Sequence, residues 1–85
     1  MTRAERIKDC LITHFQPTQI EVVDESEAHH GHAGWREGGG THIAVSIGAD
    51  QLNGLSRIAS HRAIYNALGD ELADGLHALR ITILG

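Results

Sequence analysis

Apolar residues recur at helical spacing at the start of the chain. Ala4, Ile7, Leu11 and Phe15 fall on one face, which predicts a helix over residues 3–15. Thr2 and Glu5 stand three apart at its beginning, the spacing of a capping box, and Pro17 stops it. Cys10 falls on the flank of the apolar face, which suits a small, half-buried thiol. From Thr18 to Glu25 the β-branched residues Ile20, Val22 and Val23 predict a strand. Residues 26–40 show no periodicity and read as a long, flexible loop rich in glycine and histidine. Alternation then returns over Thr41 to Gly48, with Ile43, Val45 and Ile47 on one face and His42, Ala44 and Ser46 on the other. This predicts a second strand, antiparallel to the first.

Asp50 to Asn53 suits one short helical turn, broken at Gly54. Ser56 is then an N-cap for a longer helix from Arg57 to about Ala73, on which Ile58, His61, Tyr65, Leu68 and Leu72 share a face. Asp74-Gly75 ends it. Leu76 to Leu84 reads as a last strand with His77, Leu79, Ile81 and Ile83 pointing one way. Two strands of one sheet joined by a helical crossover run parallel and connect with right-handed chirality. The expected architecture is α+β in the order αββααβ, two layers, with a three-stranded mixed sheet and helices on one face. Residues 1–85 read as a single domain, without internal repeat or linker.

Composition narrows the function classes. An apolar fraction of 41% and a charged fraction of 21% are ordinary for a globular domain. A formal charge of −4 argues against a phosphate-binding surface over the whole molecule. The lone Cys10 excludes an internal disulfide, no signal peptide is recognisable, and no apolar run approaches the roughly 20 residues that span a bilayer. The expectation is a cytoplasmic protein that does not associate with a membrane.

The candidate chemistry lies in the histidines. His29, His30 and His32 crowd a glycine-rich stretch, and His77 stands far downstream. Clustered imidazoles offer nitrogen to a metal, yet one cysteine leaves too few ligands to close a site, so the pattern implies a partner. The carboxylates Asp24, Glu25 and Glu27 lack a positioned nucleophile and read as a solvated acidic run, so no enzyme is expected. His61 and His42 read as structural, His61 hydrogen-bonded within the core. Arg57, Arg62 and Arg80 give the helical side some positive charge.

Several short motifs, in order, resemble those of the BolA-like proteins. They are Val23-Asp24-Glu25-Ser26, Gly31-His32-Ala33, Thr41-His42, Gly54-Leu55-Ser56-Arg57, His61-Arg62 and His77-Ala78-Leu79. The resemblance runs from about Ile7 to Ile81 and implies the class II KH-like fold, in agreement with the element order above. It further implies a non-enzymatic partner of a monothiol glutaredoxin, forming a heterodimer around one bridging [2Fe–2S] cluster. The partner's cysteine and glutathione would hold one side. His32 and His77 carry the family's ligand positions on the other, with His29 as an alternative loop ligand. A homodimer of the chain when free of its partner is left open.

DNA binding by a transcriptional regulator is the competing expectation, with Arg57 and Arg62 as its contacts. Against it, the turn Gly54-Leu55-Ser56-Arg57 lacks the second glycine with which KH domains clamp a nucleotide backbone. A third reading is weak zinc or copper chelation by His29, His30 and His32 alone. Ile43 and Leu52 stand where phenylalanine is common in the family, changes compatible with a core, and Trp35 is a less usual loop residue.

Overall fold

The computed structural model describes residues 2–26 and 41–84. The loop histidines His29, His30 and His32, with Trp35, lie outside the described residues. Helix α1 spans Arg3–Phe15, and the capping box forms as its spacing predicts. The Thr2 side chain accepts from the Glu5 amide, and the Glu5 carboxylate accepts from the Thr2 N–H. The helix ends at Gln16, in a left-handed conformation at φ 47°, whose N–H donates to the Ile12 carbonyl just before Pro17.

Strand β1 (Gln19–Asp24) and strand β2 (His42–Gly48) run antiparallel, Val22 opposite Val45. A 3-10 turn at Asp50–Leu52 follows, then helix α2 (Arg57–Ala67), α3 (Gly69–Ala73) and strand β3 (Ala78–Ile83). β3 runs parallel to β2, Val45 beside Ile81, and the sheet order is β1-β2-β3. The αββααβ order and the mixed sheet are those the sequence predicts.

The core is aliphatic. Ile7, Leu11 and Phe15 of α1 meet Ile43, Val45 and Ile47 of the central strand, closed by Leu52, Ile64 and Leu68. Burying side chains of this size contributes roughly 1.5–3 kcal/mol each. Ile43 and Leu52 are both buried, in keeping with the expectation that they are compatible with a core.

The second half departs from expectation in three ways. The helix expected over residues 57–73 is broken at Leu68 (φ −102°, ψ 17°), where the Leu68 N–H is shared between the Ile64 and Tyr65 carbonyls and Gly69 follows. The face of α2 that packs inward carries Ser60 and Ile64, with Ala63 and Ala67 partly buried beside them. Ile58 and Tyr65, assigned to the core by spacing, are exposed at 70% and 39%. Alanines and a serine fit the narrow space between α2 and α1, which the bulkier stripe would not. Ser26 also departs. It is not part of a loose loop but is buried at 1% exposure.

Candidate functional site

The end of the sheet where β2 begins gathers most of the polar chemistry. Ser26, Thr41 and His42 are all buried there. The Ser26 hydroxyl accepts from the backbone N–H groups of Thr41 (3.0 Å) and His42 (3.2 Å), and the Ser26 amide donates to the Asp24 carboxylate at 2.9 Å. Thr41 Oγ1 lies 3.0 Å from His42 Nδ1 and 3.3 Å from Ser26 Oγ. Buried polar groups need such partners, and this network fixes both the entry to β2 and the His42 ring.

His77 sits one residue before β3. Gly75, at φ 106°, turns the chain out of α3 in a conformation that side chains rarely adopt. The N–H groups of His77 and Ala78 then donate to the Thr41 carbonyl at 2.9 and 3.0 Å, docking this point of the chain beside β2. The parallel register sets Ala78 against His42, which carries the neighbouring His77 ring to 5.4 Å from the His42 ring, tilted by 55°. The strand pattern aligns His77 with the inward row of Leu79, Ile81 and Ile83. The regular strand starts one residue later, and His77 is exposed at the sheet end.

A shallow hollow of about 230 Å³ adjoins this pair, lined by Glu25, His42, Ile43, Ala78, Leu79 and Arg80. Across it Arg80 pairs with Glu25, Nη2 to Oε2 at 2.6 Å and Nε to Oε1 at 3.3 Å. Both residues depart from expectation. Glu25 is an ion-pair partner rather than part of a solvated run. Arg80 lies on the open face of the sheet, away from the helices. Strand alternation carried that signal, since Arg80 lies between the inward-facing Leu79 and Ile81.

Other expected positions are dispersed. Arg57 and Arg62 lie on α2; the Arg57 carbonyl accepts from the Ser60 hydroxyl, but neither guanidinium has a hydrogen-bond or ion-pair partner among the described residues. His61 is half-buried at the surface of α2 and lines two neighbouring hollows, so it is not the core histidine expected. Cys10 is half-buried as predicted, its thiol 3.2 Å from the Ala67 carbonyl. Burial, and secondarily the charges of Glu71 and Asp70, push this thiol above its ordinary pKa, which disfavours the thiolate that a nucleophile or metal ligand requires. No group of three or more metal-ligating side chains occurs among the described residues. No helix among them is long and apolar enough to cross a membrane.

Residues 11–85 match the model of the BolA-like protein family. The chain belongs to the BolA-like family. It is similar to SufE-like protein 1 of Arabidopsis thaliana, 42% identical over 94% of this chain but only 23% of that much longer one. It is also similar to the DNA-binding transcriptional regulator BolA of Escherichia coli, 39% identical over 91% of this chain and 70% of the relative. Among solved structures, the BolA domain of SufE1 from Arabidopsis thaliana superposes with a TM-score of 0.87 at 40% identity, over 98% of this BolA-like chain and 91% of that domain.

Proposed function

We propose that this BolA-like chain is a non-enzymatic partner of a monothiol glutaredoxin, sharing a bridging [2Fe–2S] cluster with it in iron–sulfur assembly, trafficking or iron regulation. The observation that supports this is the exposed imidazole of His77, held at the end of the sheet by two backbone hydrogen bonds and by the ring of buried His42. An exposed, backbone-anchored imidazole fits the donor such a cluster takes from this side, whereas the half-buried Cys10, whose thiolate burial disfavours, does not. A second ligand must then come from elsewhere in the chain. His32 is that ligand in this reading, with His29 as the alternative. Bound there, the cluster would carry fewer thiolates than in a glutaredoxin homodimer, and imidazole ligation raises the potential of such centres. His77 would bind through one ring nitrogen while its backbone N–H keeps the strand end docked on Thr41.

The test mixes the protein with a monothiol glutaredoxin, glutathione, iron and sulfide and records visible circular dichroism. A spectrum distinct from the glutaredoxin homodimer, and lost in His32→Ala/His77→Ala, supports the reading. A wild-type spectrum identical to the homodimer's overturns it. DNA binding is the second reading, favoured by the name of the Escherichia coli relative. It predicts salt-sensitive duplex binding that is weakened by Arg57→Ala or Arg62→Ala.

A further inference from the structure

A second surface, separate from the His42–His77 pair, lies between α2 and the outer edge of β3. Ile58, Tyr65 and Leu55 are exposed at 70%, 39% and 46%. They border two adjoining hollows of about 400 and 360 Å³ that share Arg57 and His61. The larger one opens between α2 and residues Ile81, Thr82 and Ile83 of β3. β3 is an edge strand.

The hydrogen bonding of β3 shows which of its backbone groups are free. Ala78 donates to Thr41 and Leu84 to Ile47, so the even-numbered residues turn their backbone toward β2. In a parallel ladder the alternate residues face the other way, leaving the N–H and C=O groups of Leu79, Ile81 and Ile83 on the open edge. The Leu79 carbonyl is approached by the Tyr65 hydroxyl at 3.5 Å. Ile81 and Ile83 front the larger hollow. An unpaired edge of this kind is a template for another strand.

The charge of the surface selects among possible occupants. α2 carries Arg57 and Arg62 and no carboxylate, in a chain whose formal charge is −4. Among the described residues neither arginine has an ion-pair partner, whereas Arg3, Arg6 and Arg80 are all paired. We infer that this groove binds an extended acidic segment of a partner protein as a fourth strand on the β3 edge. Its backbone pairs with Ile81 and Ile83, its apolar side chains lie against Leu55 and Ile58, and its carboxylates meet Arg57 and Arg62. Single-stranded nucleic acid fits the surface less well. Arg57 replaces the glycine that would admit a phosphate backbone closely, and among the described residues lining the hollows Tyr65 and His61 are the only rings for base stacking.

The test uses the full chain, 15N-labelled, and a short synthetic peptide with valine and glutamate taking turns at every second position and serine between them, so that both types face α2. Controls are the same peptide with lysine for glutamate, the same peptide N-methylated at alternate amides, and a single-stranded oligonucleotide. The expected result is salt-sensitive binding of the glutamate peptide, with slowed amide exchange at Ile81 and Ile83. Arg57→Ala with Arg62→Ala should weaken binding about tenfold. The lysine and N-methylated peptides should not bind. Absence of binding by the glutamate peptide, or equal binding of the lysine or N-methylated peptide, overturns the inference. So does tighter binding of the oligonucleotide to the same amides, or protection of those amides by self-association of the free protein. None of these results bears on the cluster spectrum, so the two readings fail separately.

Discussion

The His77 ring rests 5.4 Å from the ring of His42, an exposed imidazole set against a buried one. His42 is itself held by Thr41 Oγ1 and by a backbone amide bonded to Ser26, so the pair hands rigidity from the interior to the surface. His42→Ala is expected to lower stability by about 1–3 kcal/mol, the cost of leaving a buried partner unsatisfied. It should also shift the His77 ring resonances in NMR spectra, while His14→Ala on α1 leaves them in place. Unmoved His77 signals in the His42 variant would show that the two rings are independent.

Ser26 is a single hydroxyl on which two buried amides depend. Ser26→Ala should cost about 2–3 kcal/mol in denaturant unfolding, because each buried amide loses its acceptor. A loss below about 0.5 kcal/mol, the ordinary range for surface substitutions, would mean that the amides find other acceptors.

Glu71 of α3 joins the last helix to the first. Its two carboxylate oxygens accept from Arg6 Nε and Nη2, each at 3.0 Å, and Arg3 Nε stands 3.3 Å from Oε1. The hydrogen bonds from Arg6 chiefly hold the Glu71 pKa below the usual carboxylate value of 4.5. A carboxylate depressed by folding contributes stability that is full above its unfolded pKa and is lost as pH falls through the folded one. Glu71→Gln should therefore lower the unfolding midpoint at neutral pH, by an amount between those of exposed and buried ion pairs. The gap between wild type and variant should close as the solution is acidified below about pH 4.5. A gap that stays constant from neutral to acid pH would assign the effect to packing instead of charge.

The parts of the fold legible in the sequence are those set by local rules. The capping box, Pro17 and a single apolar face define α1 without reference to anything else. The alternation of Ile43, Val45 and Ile47 identifies β2 and its buried side. The crossover rule alone makes β3 parallel. Helix α2 was misread because Ile58 and Tyr65 outweigh Ala63 and Ala67 in hydrophobicity, although only small residues fit against the neighbouring helix. Ser60, Ile64 and Leu68, four residues apart, make the buried face that runs up to the break, and Tyr65 falls beside it.

The candidate site was legible only in its types. His77 stands out as a distant histidine, but its contact with His42 depends on which residue of β3 meets which residue of β2. Glu25 and Arg80 are likewise brought together by sheet order, across a sequence separation that no local pattern reports.

That dependence on sheet order has a consequence in time. β2 is the central strand and is translated before α2, α3 and β3. While a ribosome is still adding the crossover helices, one side of β2 has no partner strand, and His42 has no ring beside it. Contacts between segments so far apart in the chain form late, after the connection that spans them has closed. The two histidines can meet only once β3 has been made and brought back beside β2, so a chain whose synthesis has stopped short of β3 has no His77 to present in its native setting.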